Sequence, residues 1–179
     1  MSRIAIPARE AVPEAAKPLL DAVEKKLGSV PNLFRLLATS PAVLEGHLAK
    51  SASLSRTLDA KTRERIALAV AAVNGCDYCM SAHTYLATNL AKLGADEIAR
   101  NRAGGSEDPK IDVAIRFAAK VARERGHVAD ADIAEVRLAG YSDAQIVEIV
   151  AQVAENVFTN FLNEVAKTDI DFPIVRAAA

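Results

Sequence analysis

Apolar residues recur along this chain at intervals of three and four positions, and the alternation typical of strands is nearly missing. A capping residue followed by proline predicts helix starts at Ser40-Pro41 and at Asp108-Pro109. A capping box, Ser142-x-x-Gln145, opens the longest predicted helix. Glycine ends several of these segments, as is common at helix C-termini. The pattern predicts an all-α fold of about seven or eight helices, over roughly 18–27, 32–38, 40–54, 59–74, 76–93, 108–126, 130–139 and 142–165.

The length and composition favour one compact domain. Hydrophobic residues make up 51% of the chain, but aromatic residues only 4%, and tryptophan is absent. The core must therefore be built from Ala, Val, Leu and Ile, which pack well between closely approaching helices. A length of 179 residues suits one domain and is short for two. We expect a single all-helical domain over 1–179, with extended tails at 1–12 and 168–179.

The longest predicted helix carries apolar residues on more than one face. They are Ile146, Val150, Val153, Val157 and Phe161 on one face, with Val147, Phe158, Leu162 and Val165 extending it. One small domain can cover a single such face against its core. The excess predicts that the protein is a homo-oligomer.

The charges nearly cancel, at a formal net charge of −1, and are spread along the chain. This argues against nucleic-acid binding and against a polybasic membrane anchor. The segment 130–165 imitates a helix-turn-helix, but Glu148, Glu155 and Glu164 would repel phosphates. The N-terminus has no apolar stretch long enough for a signal peptide, and the longest apolar run, Ile66–Val73, is too short to span a bilayer. We expect a cytoplasmic protein.

The two cysteines, Cys76 and Cys79, give the clearest chemical signal. In a reducing compartment such a close pair indicates redox or metal chemistry rather than a structural disulfide. On a helix, Cys76, Cys79 and His83 fall within an arc of about 60°. Both cysteines would lie in the first turn, where free N–H groups and the macrodipole favour a thiolate. The arrangement supplies an attacking thiolate, a second thiol within reach and a histidine that can help to remove a proton.

Glu64 lies on the stripe Glu64, Ala67, Leu68, Ala71 of a helix that is otherwise apolar nearly all round. In one unbroken helix it would be about 18 Å from Cys76, too far to cooperate. If the chain doubles back at Asn74-Gly75, Glu64 comes level with the His83 region and can accept a proton there. The other interpretation is that Glu64 belongs to a solvated run, Lys61–Arg65.

Other uses of the cysteine pair fit less well. A structural zinc site needs four ligands, and His47, His83 and His127 are the remaining candidates without a second paired motif. Haem attachment fails because Met80, not histidine, follows Cys79. A thioredoxin-type oxidoreductase needs strands around the motif. We interpret His47 as a packed core histidine and His127 as a surface cap, with Met80 and Tyr78 as wall residues.

The spacing Glu64-x11-Cys76-x2-Cys79-x3-His83 resembles the motif of the alkylhydroperoxidase D branch of the carboxymuconolactone decarboxylase superfamily. The segment 58–83 around it is especially similar to the subgroup labelled peroxidase-related. The likeness extends to Val30-Pro31-Asn32-Leu33-Phe34 and to Asp169-Ile170-Asp171-Phe172-Pro173, so it covers nearly the whole chain.

This resemblance implies an all-helical subunit that assembles as trimers or hexamers and reduces hydroperoxides without haem, flavin or metal. It implies that Cys79 is the peroxidatic thiol, Cys76 the resolving thiol, and Glu64 with His83 the proton relay. It also implies an external dithiol reductant, such as a dihydrolipoyl group on a partner protein. Tyr78 departs from the best-known member, which has a histidine between its cysteines.

The sequence therefore predicts a cofactor-free thiol peroxidase. Two alternatives stay open. One is a redox-sensing interaction protein that uses the same cysteine pair. The other is a decarboxylase-like lyase that uses Glu64 and His83.

Overall fold

The computed structural model describes residues 2–177, which fold into nine α-helices without a strand. Met1 and the last two residues of the predicted C-terminal tail, Ala178 and Ala179, lie outside this range. Two short 3₁₀ turns, Arg9–Ala11 and Glu14–Ala16, precede the first α-helix. The helices are α1 Lys17–Leu27, α2 Asn32–Leu37, α3 Pro41–Leu54, α4 Ala60–Asn74, α5 Asp77–Asn89, α6 Ala95–Arg102, α7 Pro109–Arg123, α8 Asp130–Leu138 and α9 Asp143–Ala166.

The structure confirms the predicted all-α class and most of the helix starts. Asp59 caps α4 by accepting a hydrogen bond from the Thr62 backbone amide at 3.0 Å. Asp108 caps α7 in the same way. Ser142 and Gln145 form the reciprocal bonds of the predicted capping box at the start of α9. No helix in the described part of the chain is both long enough and apolar enough to cross a membrane.

Three local predictions were wrong. Helix α6 was missed, because its short polar sequence lacks a strong apolar period. The helix after Cys76 ends at Asn89 and not near Leu93. The N-terminal segment, predicted to be extended, contains the 3₁₀ turn Arg9–Ala11.

Helix α4 lies at the centre of the fold and packs against α5, α6, α7 and α9. Its residues Ile66–Ala71 are all buried, which is why its sequence is apolar nearly all round. One part of the core joins α4 to α7, α8 and α9, and another joins it to α5 and the C-terminal residues. The N-terminal segment, α1, α2 and α3 form a third part.

The turn between α4 and α5 brings two stretches of the predicted motif together. Gly75 has φ +65° and ψ 28°, a left-handed conformation that L side chains rarely adopt. Its backbone amide ends α4 by donating hydrogen bonds to the Ala71 and Ala72 carbonyls. The chain then reverses, so α5 packs back against α4.

Residues 168–177, here called the C-terminal strap, contain no helix and run along α5. The hydroxyl of Ser81 on α5 donates a hydrogen bond to the Val175 carbonyl and accepts one from the Val175 amide. Asp77 accepts hydrogen bonds from Arg176 and from the Ala177 amide. The strap therefore covers the beginning of the helix that carries the cysteines.

Helix α9 presents two contrasting faces. One face is apolar and exposed, and consists of Val147, Val150, Phe158, Phe161 and Val165. The other carries buried polar residues, namely Gln152, Glu155, Asn156, Thr159, Asn160 and Asn163. The second face points into the molecule, where α9 packs against α4, α5 and α3.

Candidate active site

The two cysteines lie at the start of α5, but not in the same structural role. Cys76 is the N-cap, and its sulfur accepts a hydrogen bond from the Cys79 backbone amide at 3.3 Å. Only Cys79 lies in the first turn, so the prediction that both cysteines occupy that turn was wrong for Cys76. Extended backbone at Cys76 (φ −88°, ψ 99°) directs its side chain back over the free amides of the helix.

Both thiols are free and buried, with 0% of Cys76 and 2% of Cys79 exposed. Their hydrogen bond to each other and burial raise the pKa of Cys76 far above its ordinary value. Burial also opposes ionisation of Cys79, but the hydrogen bond from Cys76 and the charge of His83 outweigh it. These two interactions, together with two side-chain amides of α9, lower the pKa of Cys79 to about 7. The site thus favours a thiolate at Cys79 beside a protonated Cys76.

Glu64 and His83 meet across the α4–α5 hairpin. The Oε2 atom of Glu64 lies 2.8 Å from Nδ1 of His83, and only about a fifth of each side chain is exposed, 18% and 22%. Burial alone would lower the pKa of His83, but the charge and hydrogen bond of Glu64, together with the Cys79 charge, raise it. Glu64 is therefore not merely part of a solvated run.

Sequence reasoning missed two amides that approach Cys79 from α9. The Nδ2 atom of Asn163 lies 3.2 Å from the Cys79 sulfur. Asn160, one turn earlier, also lowers the pKa of that thiol. The signal was present as Asn156-x3-Asn160-x2-Asn163, a stripe of amides on one face of an otherwise apolar helix.

Tyr78, which separates the cysteines, is more than a wall residue. Its hydroxyl accepts a hydrogen bond from the Leu33 amide at 3.0 Å and donates one to Asp171 at 2.9 Å. Its ring packs edge-on against Phe172 of the C-terminal strap. Tyr78 therefore joins the strap and α2 to the cysteine helix.

The other two histidines lie away from the cysteines. His47 is largely buried and pairs with Glu155, whose carboxylate lies 2.5 Å from its Nδ1, and His127 is exposed. Within residues 2–177 no group of three or more His, Cys, Asp or Glu side chains could hold a metal ion. The zinc alternative therefore has no ligand set in this part of the chain.

Four side chains from two helices thus converge on one point: a thiolate-prone Cys79, a protonated Cys76, and an imidazole–carboxylate pair. A thiolate beside a second thiol can attack a weak heteroatom bond and then close a disulfide. A protonated imidazole beside it can give a proton to a leaving group.

Part of the chain matches a known protein family. Residues 41–124 match the carboxymuconolactone decarboxylase family, and this segment contains all four predicted site residues. No curated protein matches the chain at a significant level. The family match and the solved structures described next confirm the resemblance inferred from the sequence.

Several solved structures share this fold. A peroxidase-related protein from Ralstonia eutropha JMP134, described as an alkylhydroperoxidase AhpD core, has a TM-score of 0.83 and 28% identity, covering 95% of this chain and 92% of its own. A peroxidase-related protein from Silicibacter sp. TM1040 has a TM-score of 0.79 and 25% identity, covering 94% and 91%. The debrominase Bmp8 in complex with 2,3,4-tribromopyrrole has a TM-score of 0.80 at 19% identity, covering 96% and 94%, and shares the fold alone.

Proposed function

We propose that this chain, which contains a carboxymuconolactone decarboxylase family domain, is a thiol peroxidase that reduces hydroperoxides with its own cysteine pair. The observation that carries the proposal is the geometry of the site, in which the Cys76 sulfur accepts a hydrogen bond from the Cys79 amide at 3.3 Å and Glu64 lies 2.8 Å from His83. The directions of the thiol pKa shifts, upward at Cys76 and downward at Cys79, agree with it. This geometry supports attack by Cys79 and resolution by Cys76. The similarity to two proteins described as peroxidase-related supports the same chemistry.

In the first step the Cys79 thiolate attacks the terminal oxygen of a hydroperoxide, ROOH. A sulfur–oxygen bond forms and the O–O bond breaks, which leaves Cys79 as a sulfenic acid and releases RO⁻. The imidazolium of His83 supplies the proton that converts RO⁻ to the alcohol. Glu64 stabilises that imidazolium through its 2.8 Å contact with Nδ1.

In the second step Cys76 attacks the sulfenic sulfur of Cys79. The two sulfurs form a disulfide, and the hydroxyl group leaves with the Cys76 proton as water. The position of Cys76 supports this closure, because its sulfur lies over the first turn of α5, 3.3 Å from the backbone nitrogen of Cys79. An external dithiol then reduces the disulfide and is itself oxidised to a disulfide, which returns both cysteines to thiols.

The proposal is tested by locating the oxidised sulfur. Mass spectrometry after one equivalent of an organic hydroperoxide should find a Cys76–Cys79 disulfide in the wild type. In Cys76→Ser, a sulfenic acid should accumulate on Cys79. The matched variant Cys79→Ser should not react. Full turnover in Cys79→Ser, with oxidation on Cys76, would reverse the assignment.

Steady-state assays separate the peroxidase from other functions. With excess dithiol a peroxidase consumes peroxide continuously, whereas a redox sensor reacts once. A lyase based on Glu64 and His83 would survive both cysteine substitutions. Release of bromide from a brominated pyrrole without peroxide consumption would indicate a debrominase. A screen of dihydrolipoamide, thioredoxin and glutathione then identifies the class of reductant.

A further inference from the structure

The side chain of Asn163 makes one hydrogen bond among the described residues, and it is to a reacting atom. Its Nδ2 lies 3.2 Å from the Cys79 sulfur, and the residue is only 2% exposed. Its Oδ1 is buried without a hydrogen-bond partner within residues 2–177. The amide therefore uses its donor on the sulfur and leaves its acceptor unused.

That choice of atoms fits a thiolate better than a thiol. A thiolate can only accept hydrogen bonds, and Nδ2 of asparagine can only donate them. Hydrogen bonds that end on a charged group are about twice as strong as neutral ones, and more so in a buried site. An unpaired buried carbonyl is a cost to folding, so a leucine would suit α9 better if Asn163 had only a packing role.

Asn160, another buried amide of α9, lies one turn before Asn163. Its Oδ1 accepts a hydrogen bond from Nδ2 of Asn74 at 2.8 Å. The Nδ2 of Asn160 takes no part in this bond. The Asn160 amide lowers the pKa of Cys79, although its Nδ2 forms no hydrogen bond of ordinary geometry. Asn74 lies two residues before Cys76, so this chain of amides links α4, α9 and the cysteine pair.

We propose that Asn163 is a catalytic residue of this site: its amide donates a hydrogen bond that holds Cys79 as a thiolate. The inference rests on the proposed function in taking Cys79 as the attacking sulfur. It adds that the anion is stabilised from a second helix as well as from His83.

The same amide serves the reductive half of the cycle. When an external thiolate attacks Cys76, a new disulfide forms there, the Cys76–Cys79 bond breaks, and its electron pair goes to Cys79. A leaving thiol of low pKa departs faster. Asn163 therefore favours attack on Cys76, so the mixed disulfide with the reductant forms at that residue.

The test measures the Cys79 thiolate without any peroxide. In a Cys76→Ser background, the rate of alkylation by iodoacetamide is followed from pH 5 to 10, which gives the pKa of Cys79. Asn163→Leu should raise that pKa by about one unit or more, so alkylation below the pKa slows about tenfold. Asn163→Asp, of the same shape but acidic, should raise it further. Asn160→Leu should cause a smaller rise.

Asn156→Leu is the matched control, because this buried amide of α9 bonds the Gln152 carbonyl and not a sulfur. It should leave the alkylation profile unchanged. An unchanged Cys79 pKa in both Asn163→Leu and Asn163→Asp would overturn the inference. This outcome is distinct from failure of the proposed function, which would be absence of peroxide turnover in the wild type, whatever the alkylation profiles show.

Discussion

Glu64 holds Nδ1 of His83 at 2.8 Å across the α4–α5 hairpin, although the two residues are 19 positions apart in the chain. This contact leaves the other ring nitrogen of His83 for a different partner. It also raises the pKa of His83 against the effect of burial. The positive charge that results is one of the causes that lower the pKa of Cys79. A carboxylate on α4 thus influences a sulfur on α5 through an imidazole.

We predict that Glu64→Gln moves both limbs of the pH–rate profile. Without the carboxylate, the pKa of His83 falls and that of Cys79 rises above about 7. The Cys79 thiolate then forms only at higher pH, so the rising limb of the profile moves to higher pH. The His83 imidazolium is lost at lower pH, so the falling limb moves to lower pH. At neutral pH turnover should fall about 10²–10⁴-fold, the usual cost of losing acid–base catalysis. Raising the pH should recover part of the attack rate.

The control for this prediction is Glu45→Gln, which changes an exposed carboxylate outside the site. Its profile should match the wild type. Superimposable profiles for wild type and Glu64→Gln would remove Glu64 from the mechanism and leave the cysteines and His83.

We predict that the buried carboxylate of Glu97 makes stability fall in acid. Its oxygens accept hydrogen bonds from Arg65, Ser106, Asn101 and the Glu107 amide. Burial opposes its ionisation, but these bonds, led by that of Ser106, lower its pKa from 4.5 to about 2. A lowered carboxyl pKa contributes stability that is complete above about 4.5 and is lost as the pH falls towards about 2.

Urea unfolding between pH 7 and pH 2.5 measures this contribution. Glu97→Gln should lower the free energy of unfolding at pH 7 by about 3–5 kcal/mol, because it leaves Arg65 buried without its charge partner, and should flatten the acid dependence. Glu107→Gln, which removes an exposed ion pair with Arg100 at 3.6 Å, should cost less than about 1 kcal/mol. Equal losses from the two variants would contradict the assignment.

We predict that Tyr78→Phe loosens the C-terminal strap without changing Cys79. The substitution keeps the ring that contacts Phe172 and removes the hydroxyl that joins the Leu33 amide to Asp171. The free energy of unfolding should fall by about 1–3 kcal/mol, because a half-buried amide loses its acceptor. Hydrogen exchange in residues 168–177 should become faster, while the alkylation pH profile of Cys79 stays the same.

Tyr85→Phe is the matched control, since its exposed ring also contacts Phe172. It should leave exchange in the strap close to the wild-type rate. Unchanged exchange in Tyr78→Phe would show that the apolar contacts of the strap hold it without the hydroxyl.

Local sequence signals predicted the helices that carry strong caps and a clear apolar period. Asp59, Asp108 and Ser142 each start a helix by accepting a backbone hydrogen bond. Helix α6 escaped because it spans only Ala95–Arg102 and is held by contacts made elsewhere, including the Arg65–Glu97 pair. Such a helix depends on its neighbours in the fold rather than on its own sequence.

The candidate site could be predicted where residues are close in sequence or joined by a recognisable turn. Cys76, Cys79 and His83 lie on or beside one helix, so their spacing in the sequence was enough to group them. Gly75 at the end of α4 indicated the chain reversal that brings Glu64 to His83. Asn163 lies 84 positions from Cys79, and the order of helices alone does not set which face of α9 meets the sulfur. Its role could be found only after the packing of α9 on α5 was known.

We predict that the exposed apolar face of α9 is covered by a second copy of the chain. It is formed by Val147, Val150, Phe158, Phe161 and Val165, whose exposed fractions lie between 40% and 68%. These residues recur at helical spacing and make one continuous stripe, which a monomer rarely leaves in water. Light scattering after size-exclusion chromatography should give a mass that is a multiple of 19.0 kDa. Phe161→Glu should shift the equilibrium towards the monomer, because it places a charge in the middle of an apolar contact. Leu138→Glu, at an isolated apolar residue of α8 that is 88% exposed, should leave the mass unchanged. A wild-type chain that stays monomeric at low micromolar concentration would contradict the prediction, and the stripe would then need another occupant.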